Sequence, residues 1–150
     1  MSLRRNVVPV VLGAVVGGLG VRPTSRWYRA LDKPRWNPPN AVFGPVWTAL
    51  YALTAYGTAR AMERGTAAQV RGIERALWTN MALNAGWCWL FFTAERPRLA
   101  LAEILALDAS TADLLRRLRE VDPTAHHLVA PYLAWNSFAT ALNAEIARRN

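Results

Sequence analysis

Aromatic rings and carboxamides recur at helical spacing in this chain. Asn80, Asn84, Trp87 and Phe91 stand at i, i+4, i+7 and i+11, which is one face of a helix. Trp47, Tyr51 and Thr54 repeat that step, and Trp135, Ala139 and Leu142 repeat it again with Asn136 and Asn143 alongside. Three such faces can enclose a cavity for a flat apolar ligand, the rings supplying contact area and the amides fixing its polar edges. The same residues also suit a plain interior of aromatic filler with asparagines hydrogen-bonding between helices. Other chemistries lack their residues. His126 and His127 are adjacent, so their rings diverge on a helix, and Cys88 has no second thiol, so no metal set is expected. No phosphate loop or dinucleotide fingerprint occurs, and nothing points to a nucleophile with its base.

The elements that must position these faces follow from the charge pattern. With 150 residues the chain is read as one domain, 1–150. Residues 41–59, 76–94 and 128–144 carry no charge. At about 1.5 Å per residue, the first two reach the roughly 20 residues needed to cross a bilayer, and the third nearly does. Residues 6–21 form a shorter, Gly-rich first helix in which Gly13 and Gly17 make a G-x-x-x-G that lets a neighbour approach closely. That stretch is followed by Arg22-Pro23 and has no small-x-small cleavage site, so it is read as a span and not as a signal peptide. Residues 99–118 form a fourth helix interrupted by Glu103, Asp108 and Asp113. These carboxylates step by five and spread around a 3.6-residue helix, which argues for packing and interfacial roles over a proton relay, with Asp113 pairing locally to Arg116 and Arg117. The expected fold is an all-α bundle of five transmembrane helices.

The net charge of +8 rests almost wholly on arginine. Such a balance suits nucleic acid or an anionic membrane surface, and the arginines fall in the gaps between apolar runs, which fits membrane flanks and not a nucleic-acid face. Five crossings divide the 18 basic residues equally between the two sides, so the positive-inside rule assigns no orientation. A mean hydropathy of +0.06 is low for a chain in lipid, and seven tryptophans are many for a soluble domain.

Residues 27–47 are the most specific segment. Trp27-Tyr28, then Leu31 and Lys33-Pro34-Arg35-Trp36-Asn37-Pro38-Pro39, lead to Phe43 and Trp47, and the prolines forbid a continuous helix. A rigid aromatic loop is expected there. The pattern WY-x-x-L-x-K-P-x-W-x-P-P-x-x-x-F-x-x-x-W resembles the signature of the tryptophan-rich sensory protein family, also called the translocator protein or TspO/MBR family. The resemblance continues through Trp47-Thr48-x-Leu50-Tyr51, Leu83-Asn84-x-x-Trp87-x-x-x-Phe91-Phe92, Pro131-Tyr132-Leu133-Ala134-Trp135 and Phe138-Ala139-Thr140-x-Leu142-Asn143.

That resemblance implies a five-helix membrane bundle, usually a homodimer, with a ligand cavity beneath the first interhelical loop. Its members bind porphyrins and haem-like tetrapyrroles, synthetic isoquinolines and benzodiazepines, and in animals cholesterol. Carried onto this chain, Trp47 and Trp135 are the cavity tryptophans and Asn84 is the cavity amide, with Asn80 one turn away. Trp36, Pro38 and Tyr28 belong to the lid, and Tyr51, Trp87, Ala139 and Leu142 complete the expected ligand-binding set. In bacterial relatives the two tryptophans are associated with light- and oxygen-dependent porphyrin degradation. The expected protein is therefore a porphyrin- or haem-binding sensor or regulator in a bacterial cytoplasmic membrane, needing no cofactor and no nucleic acid. A transporter of porphyrin or another amphipath is the alternative, and an enzyme degrading porphyrin would require turnover beyond one ligand per protein. Two features depart from the family. The end of the fifth helix lacks the Tyr of the cholesterol-recognition pattern, and Asp108 and Asp113 make the fourth helix more polar.

Overall fold

Proline and capping side chains set the helix boundaries. The computed structural model describes residues 2–150, in the order α1 (Ser2–Gly20), α2 (Arg26–Ala30), α3 (Asn40–Arg64), α4 (Ala67–Cys88) continued by a π-helical turn (Trp89–Thr93), α5 (Pro97–Val121) and α6 (Pro123–Arg149). Ser25 caps α2 by accepting from the Tyr28 N–H at 3.1 Å. Thr66 and Gln69 form a reciprocal capping box at the start of α4. Asp122 accepts from the Thr124 N–H at 3.0 Å, and Pro97 and Pro123 open α5 and α6, where a missing N–H costs nothing.

The all-α architecture agrees with the expected five long helices and adds two details. Trp27 and Tyr28, expected in a rigid aromatic loop, form the one-turn helix α2. The long helices also overrun the uncharged stretches: α3 continues to Arg64 and α4 begins at Ala67, because arginine, glutamate and glutamine are good helix formers. Charge marks the edge of the apolar stretch and not the end of the helix. The spans expected from charge-free length need a correction, since among the described residues no helix is both long and apolar enough to cross a membrane. Length is ample, with 25 residues in α3 and 27 in α6. Apolarity is diluted by the Thr, Tyr, Trp, Gly and Asn that fill the same stretches.

The five long helices close a ring: α1 packs on α3 and α4, α5 on α4 and α6, and α6 on α3. Glycines allow the closest approaches. A Cβ on Gly13 would stand 2.9 Å from Met81 Cβ, and one on Gly17 would stand 3.3 Å from the Ala85 Cα, so the G-x-x-x-G faces α4. Asn6 is fully buried and donates to the Ala55 carbonyl, tying α1 to α3. The opposite face of α1, with Val8, Val11, Leu12, Val15, Val16 and Leu19, is exposed. The main core lies between α3, α4, α5 and α6 around Leu77, Met81, Leu114, Leu118, Val129 and Tyr132.

At the α5–α6 junction the Asp122 carboxylate is 6% exposed and takes the Arg60 Nε at 2.7 Å, with Arg64 at 3.8 Å. Burial opposes its ionisation, but the Thr124 N–H and the two guanidinium groups outweigh burial and hold its carboxyl below the ordinary value. Its stabilising contribution is therefore complete above about pH 4 and drains away as pH falls through the lowered folded value. Asp122→Asn should unfold at a lower temperature at neutral pH and lose less further stability on acidification towards pH 2 than the wild type, as read by thermal unfolding across that range. On α1, Gly17→Val should cost about 1–3 kcal/mol by overpacking against Ala85. Gly18→Ala, whose Cβ meets nothing within 4 Å, should cost nothing; chemical denaturation compares the two.

Candidate functional site

A cavity of about 520 Å³ opens at the end of the ring where α2 and its loop lie. Trp47, Thr48 and Tyr51 come to it from the first half of α3, just after Pro45, which leaves the Ala41 carbonyl without its helical donor. Trp135, Ala139 and Leu142 come from one stripe of α6, with Asn143 beside it. Trp87, Phe91 and Phe92 come from the end of α4. A continuous α-helix would aim the neighbours Phe91 and Phe92 apart. The π turn holds more residues per turn and keeps both on the cavity wall, in edge contact at 4.9 Å. The turn ends at Glu95, whose φ of 58° lies in the left-handed region, and the Arg96 N–H reaches back to the Leu90 carbonyl at 3.0 Å.

The rings form a connected wall. Trp47 is stacked on Tyr51 at 5.6 Å and stands perpendicular to Trp135 at 6.3 Å, while Trp135 continues to Phe138 at 5.3 Å and Phe43 at 5.9 Å. Trp87 stacks on Phe91 at 5.4 Å, and its indole N–H donates to Asn143 Oδ1 at 2.9 Å. Trp135 Nε1 is buried with no acceptor among the described residues, an unusual state for a strong donor at a cavity wall.

Of the residues expected at the site, the structure brings Tyr28, Trp47, Tyr51, Trp87, Trp135, Ala139 and Leu142 to the cavity wall. Asn80 and Asn84 are not on that wall. Both are fully buried behind it, because their amides are consumed by other helices. The Tyr51 hydroxyl donates to Asn84 Oδ1 at 3.1 Å, Asn84 Nδ2 donates to the Tyr132 oxygen at 2.8 Å, the Tyr132 hydroxyl donates to Asn80 Oδ1 at 2.8 Å, and Asn80 Nδ2 donates to Thr111 Oγ1 at 2.9 Å. Asn136 donates to the same Thr111 oxygen at 3.2 Å. Trp36 and Pro38 also lie off the wall. Trp36 is 48% exposed and meets Phe138 edge-on at 5.7 Å, so the loop covers the aromatic wall from outside. The loop is held by Trp27 against Phe91, by Tyr28 against Phe92, and by Asn150, which accepts the Asp32 N–H at 3.0 Å and donates to its carbonyl.

Spacing gives no sign of the wall contributed by α1, where Ala14 and Gly18, with Val21 just beyond the helix, line the cavity. Small residues carry no chemical signal, and only the packing of α1 against α4 puts them there. Phe92 was legible as an aromatic but lay off the α-helical stripe. Among the described residues no group of three or more His, Cys, Asp or Glu is placed to hold a metal ion. Asp113 pairs with Arg116 and Arg117, each at 2.8 Å, as its spacing suggested. Asp108 accepts from Thr140 at 2.6 Å, and both Glu103 oxygens are buried without a partner, close to Gly86.

Residues 6–149 match the model of the TspO/MBR family. The chain is 37% identical over 142 residues to a translocator protein of Homo sapiens, covering 93% of this chain and 84% of that one. It is 32% identical over 152 residues to a tryptophan-rich protein TspO of Archaeoglobus fulgidus, covering 95% of each, and 36% identical over 127 residues to a tryptophan-rich sensory protein of Cereibacter sphaeroides, covering 83% and 77%.

Removing the Tyr132 hydroxyl would leave Asn84 without an acceptor and Asn80 without a donor, both fully buried. Tyr132→Phe should therefore cost about 2 kcal/mol or more, and Tyr51→Phe, at the half-buried end of the chain, should cost less. Equilibrium unfolding of the two variants measures the order.

Proposed function

Because this chain belongs to the TspO/MBR family of membrane proteins, we propose that it binds a tetrapyrrole, porphyrin or haem, in the cavity under its first loop and serves a sensory or regulatory role. The observation that carries this reading is the aromatic wall: indole and phenol rings from α3, α4 and α6 around about 520 Å³, with few polar atoms among them. A flat macrocycle gains most of its binding energy from such faces, and a small number of polar groups orients it. One such group is at hand: the Tyr51 oxygen, whose hydrogen is committed to Asn84, has lone pairs free to accept a pyrrole N–H.

The same proposal seats the protein in a bacterial cytoplasmic membrane as a multi-pass homodimer. The exposed Val and Leu stripe of α1 supports contact with lipid or a second copy, and the arginines outside the helix centres support interfacial flanks. Trp47 and Trp135 also support light-driven porphyrin loss. An indole that gives an electron to a photo-excited macrocycle becomes a tryptophanyl radical, the reduced macrocycle passes that electron to dioxygen, and the radical regains one by oxidising porphyrin.

Titration of the detergent-solubilised protein with protoporphyrin in the dark, followed by tryptophan quenching and then by illumination, tests this reading. The wild type should saturate and lose porphyrin in light. Trp47→Phe/Trp135→Phe should bind about tenfold more weakly and spare the porphyrin, as expected for losing two ring contacts of about 0.5–1.5 kcal/mol each. Quenching that never saturates, or is unchanged in the double variant, would return the aromatic wall to a packing role. Porphyrin accumulating inside protein-containing vesicles would favour transport instead.

A further inference from the structure

At the end of the ring opposite the loop, α4 and α5 flank a second, open cleft of about 310 Å³ that the aromatic cavity does not reach. Arg75, Thr79 and Gly72 line it from α4, and Ser110, Asp113 and Arg117 line it from α5. Its character is the reverse of the first: guanidinium and hydroxyl groups replace rings.

Three features of this cleft point the same way. Arg75 has no carboxylate within salt-bridge distance among the described residues, so its charge there is uncompensated. Asp113 is the one acidic group on the wall, and it is already bridged by Arg116 and Arg117 at 2.8 Å each. Arg117 uses its Nε for that bridge and extends its Nη1 across Gly72, where a Cβ would stand 2.8 Å away. The glycine therefore makes room for the guanidinium on the cleft wall. Finally, the Ser110 oxygen accepts from Asn80 Nδ2 at 3.4 Å, while its own hydrogen has no acceptor among the described residues. The hydrogen bonds from Tyr51 through Asn84, Tyr132 and Asn80 all donate in the same direction and end on Thr111 Oγ1 at 2.9 Å, with the Ser110 oxygen as a second, longer acceptor on the cleft wall.

We propose that this cleft is a binding site for a phosphate group, held by the Arg75 and Arg117 guanidinium groups and the Ser110 hydroxyl. Guanidinium forks match phosphate oxygens in pairs, and a serine hydroxyl supplies a neutral third donor. Neither the aromatic cavity nor its ligand is needed for this site. Two sources present the same chemistry: the headgroup of an anionic phospholipid entering between α4 and α5, and a free phosphate.

Native mass spectrometry of protein equilibrated with phosphatidylglycerol and phosphatidylcholine in one mixed micelle, paired with thermal unfolding in lipid-free detergent with and without inorganic phosphate, tests the site. The wild type should retain phosphatidylglycerol about tenfold over phosphatidylcholine, the scale of one or two charge-assisted hydrogen bonds. Arg75→Gln should lose that preference. Gly72→Ala should lose it too, because its methyl displaces the Arg117 guanidinium, and it serves as the test if Arg75→Gln fails to fold. Arg29→Gln, exposed on α2 at the other end of the bundle, should keep it. Stabilisation by inorganic phosphate in the wild type but not in Arg75→Gln identifies a free-phosphate site, and lipid preference without it identifies a headgroup site. Equal retention of the two lipids with no phosphate effect, or wild-type behaviour of both cleft variants in both arms, overturns the proposal.

Discussion

The buried chain of hydroxyls and amides from Tyr51 to Thr111 is the constraint on which this structure turns. It crosses from α3 to α4, to α6, back to α4 and on to α5, so four of the five long helices share one set of hydrogen bonds. An amide in a dry interior costs several kcal/mol if left unpaired, and each of these groups finds its partner only when the helices hold one relative rotation. Apolar contacts among Leu, Ala and Val would tolerate several rotations. The polar chain selects one, and it thereby presents Trp47, Trp87 and Trp135 to a common space.

The cavity and the polar chain are consequently neighbours with separate tasks. Asn80 and Asn84, which spacing alone would place against a ligand, are occupied in holding helices together, and the cavity is left with rings and a few hydroxyl and amide edges, among them Tyr28, Thr48, Tyr51 and Asn143. That division makes the pocket apolar and its walls stiff. Its roof is fastened by different means: aromatic edges from α2 and the loop rest on Phe91, Phe92 and Phe138, and Asn150 clamps the loop at Asp32.

Polarity also divides along the bundle. One end gathers rings around a cavity under the loop, and the other gathers arginines around Asp113 and Asp122. The helices between are long yet only mildly apolar, because glycines that permit close contact and threonines and asparagines that bond across the interior replace leucines. In a family of membrane proteins this composition follows from packing: helices that hold one another through small and polar residues have less apolar area to show.

Much of this was legible without coordinates. Five long helices, the proline-rich loop before α3, the G-x-x-x-G against a neighbour, the local pairing of Asp113 and the aromatic stripes of α3 and α6 follow from periodicity, charge and proline chemistry, all of which act over a few residues. The family followed from ordered motifs spread along most of the chain. The rest depended on distance in sequence. Whether Asn84 meets a ligand or Tyr132 is decided across 48 residues, and the same holds for the α1 wall of the cavity and for Arg117 lying over Gly72. The π turn that recruits Phe92 has no local signature here either. Sequence determined which faces were apolar, aromatic or charged, because those properties belong to single residues and their helical spacing; tertiary structure decided which faces met, because hydrogen bonds and steric fit between helices exist only once the ring is closed.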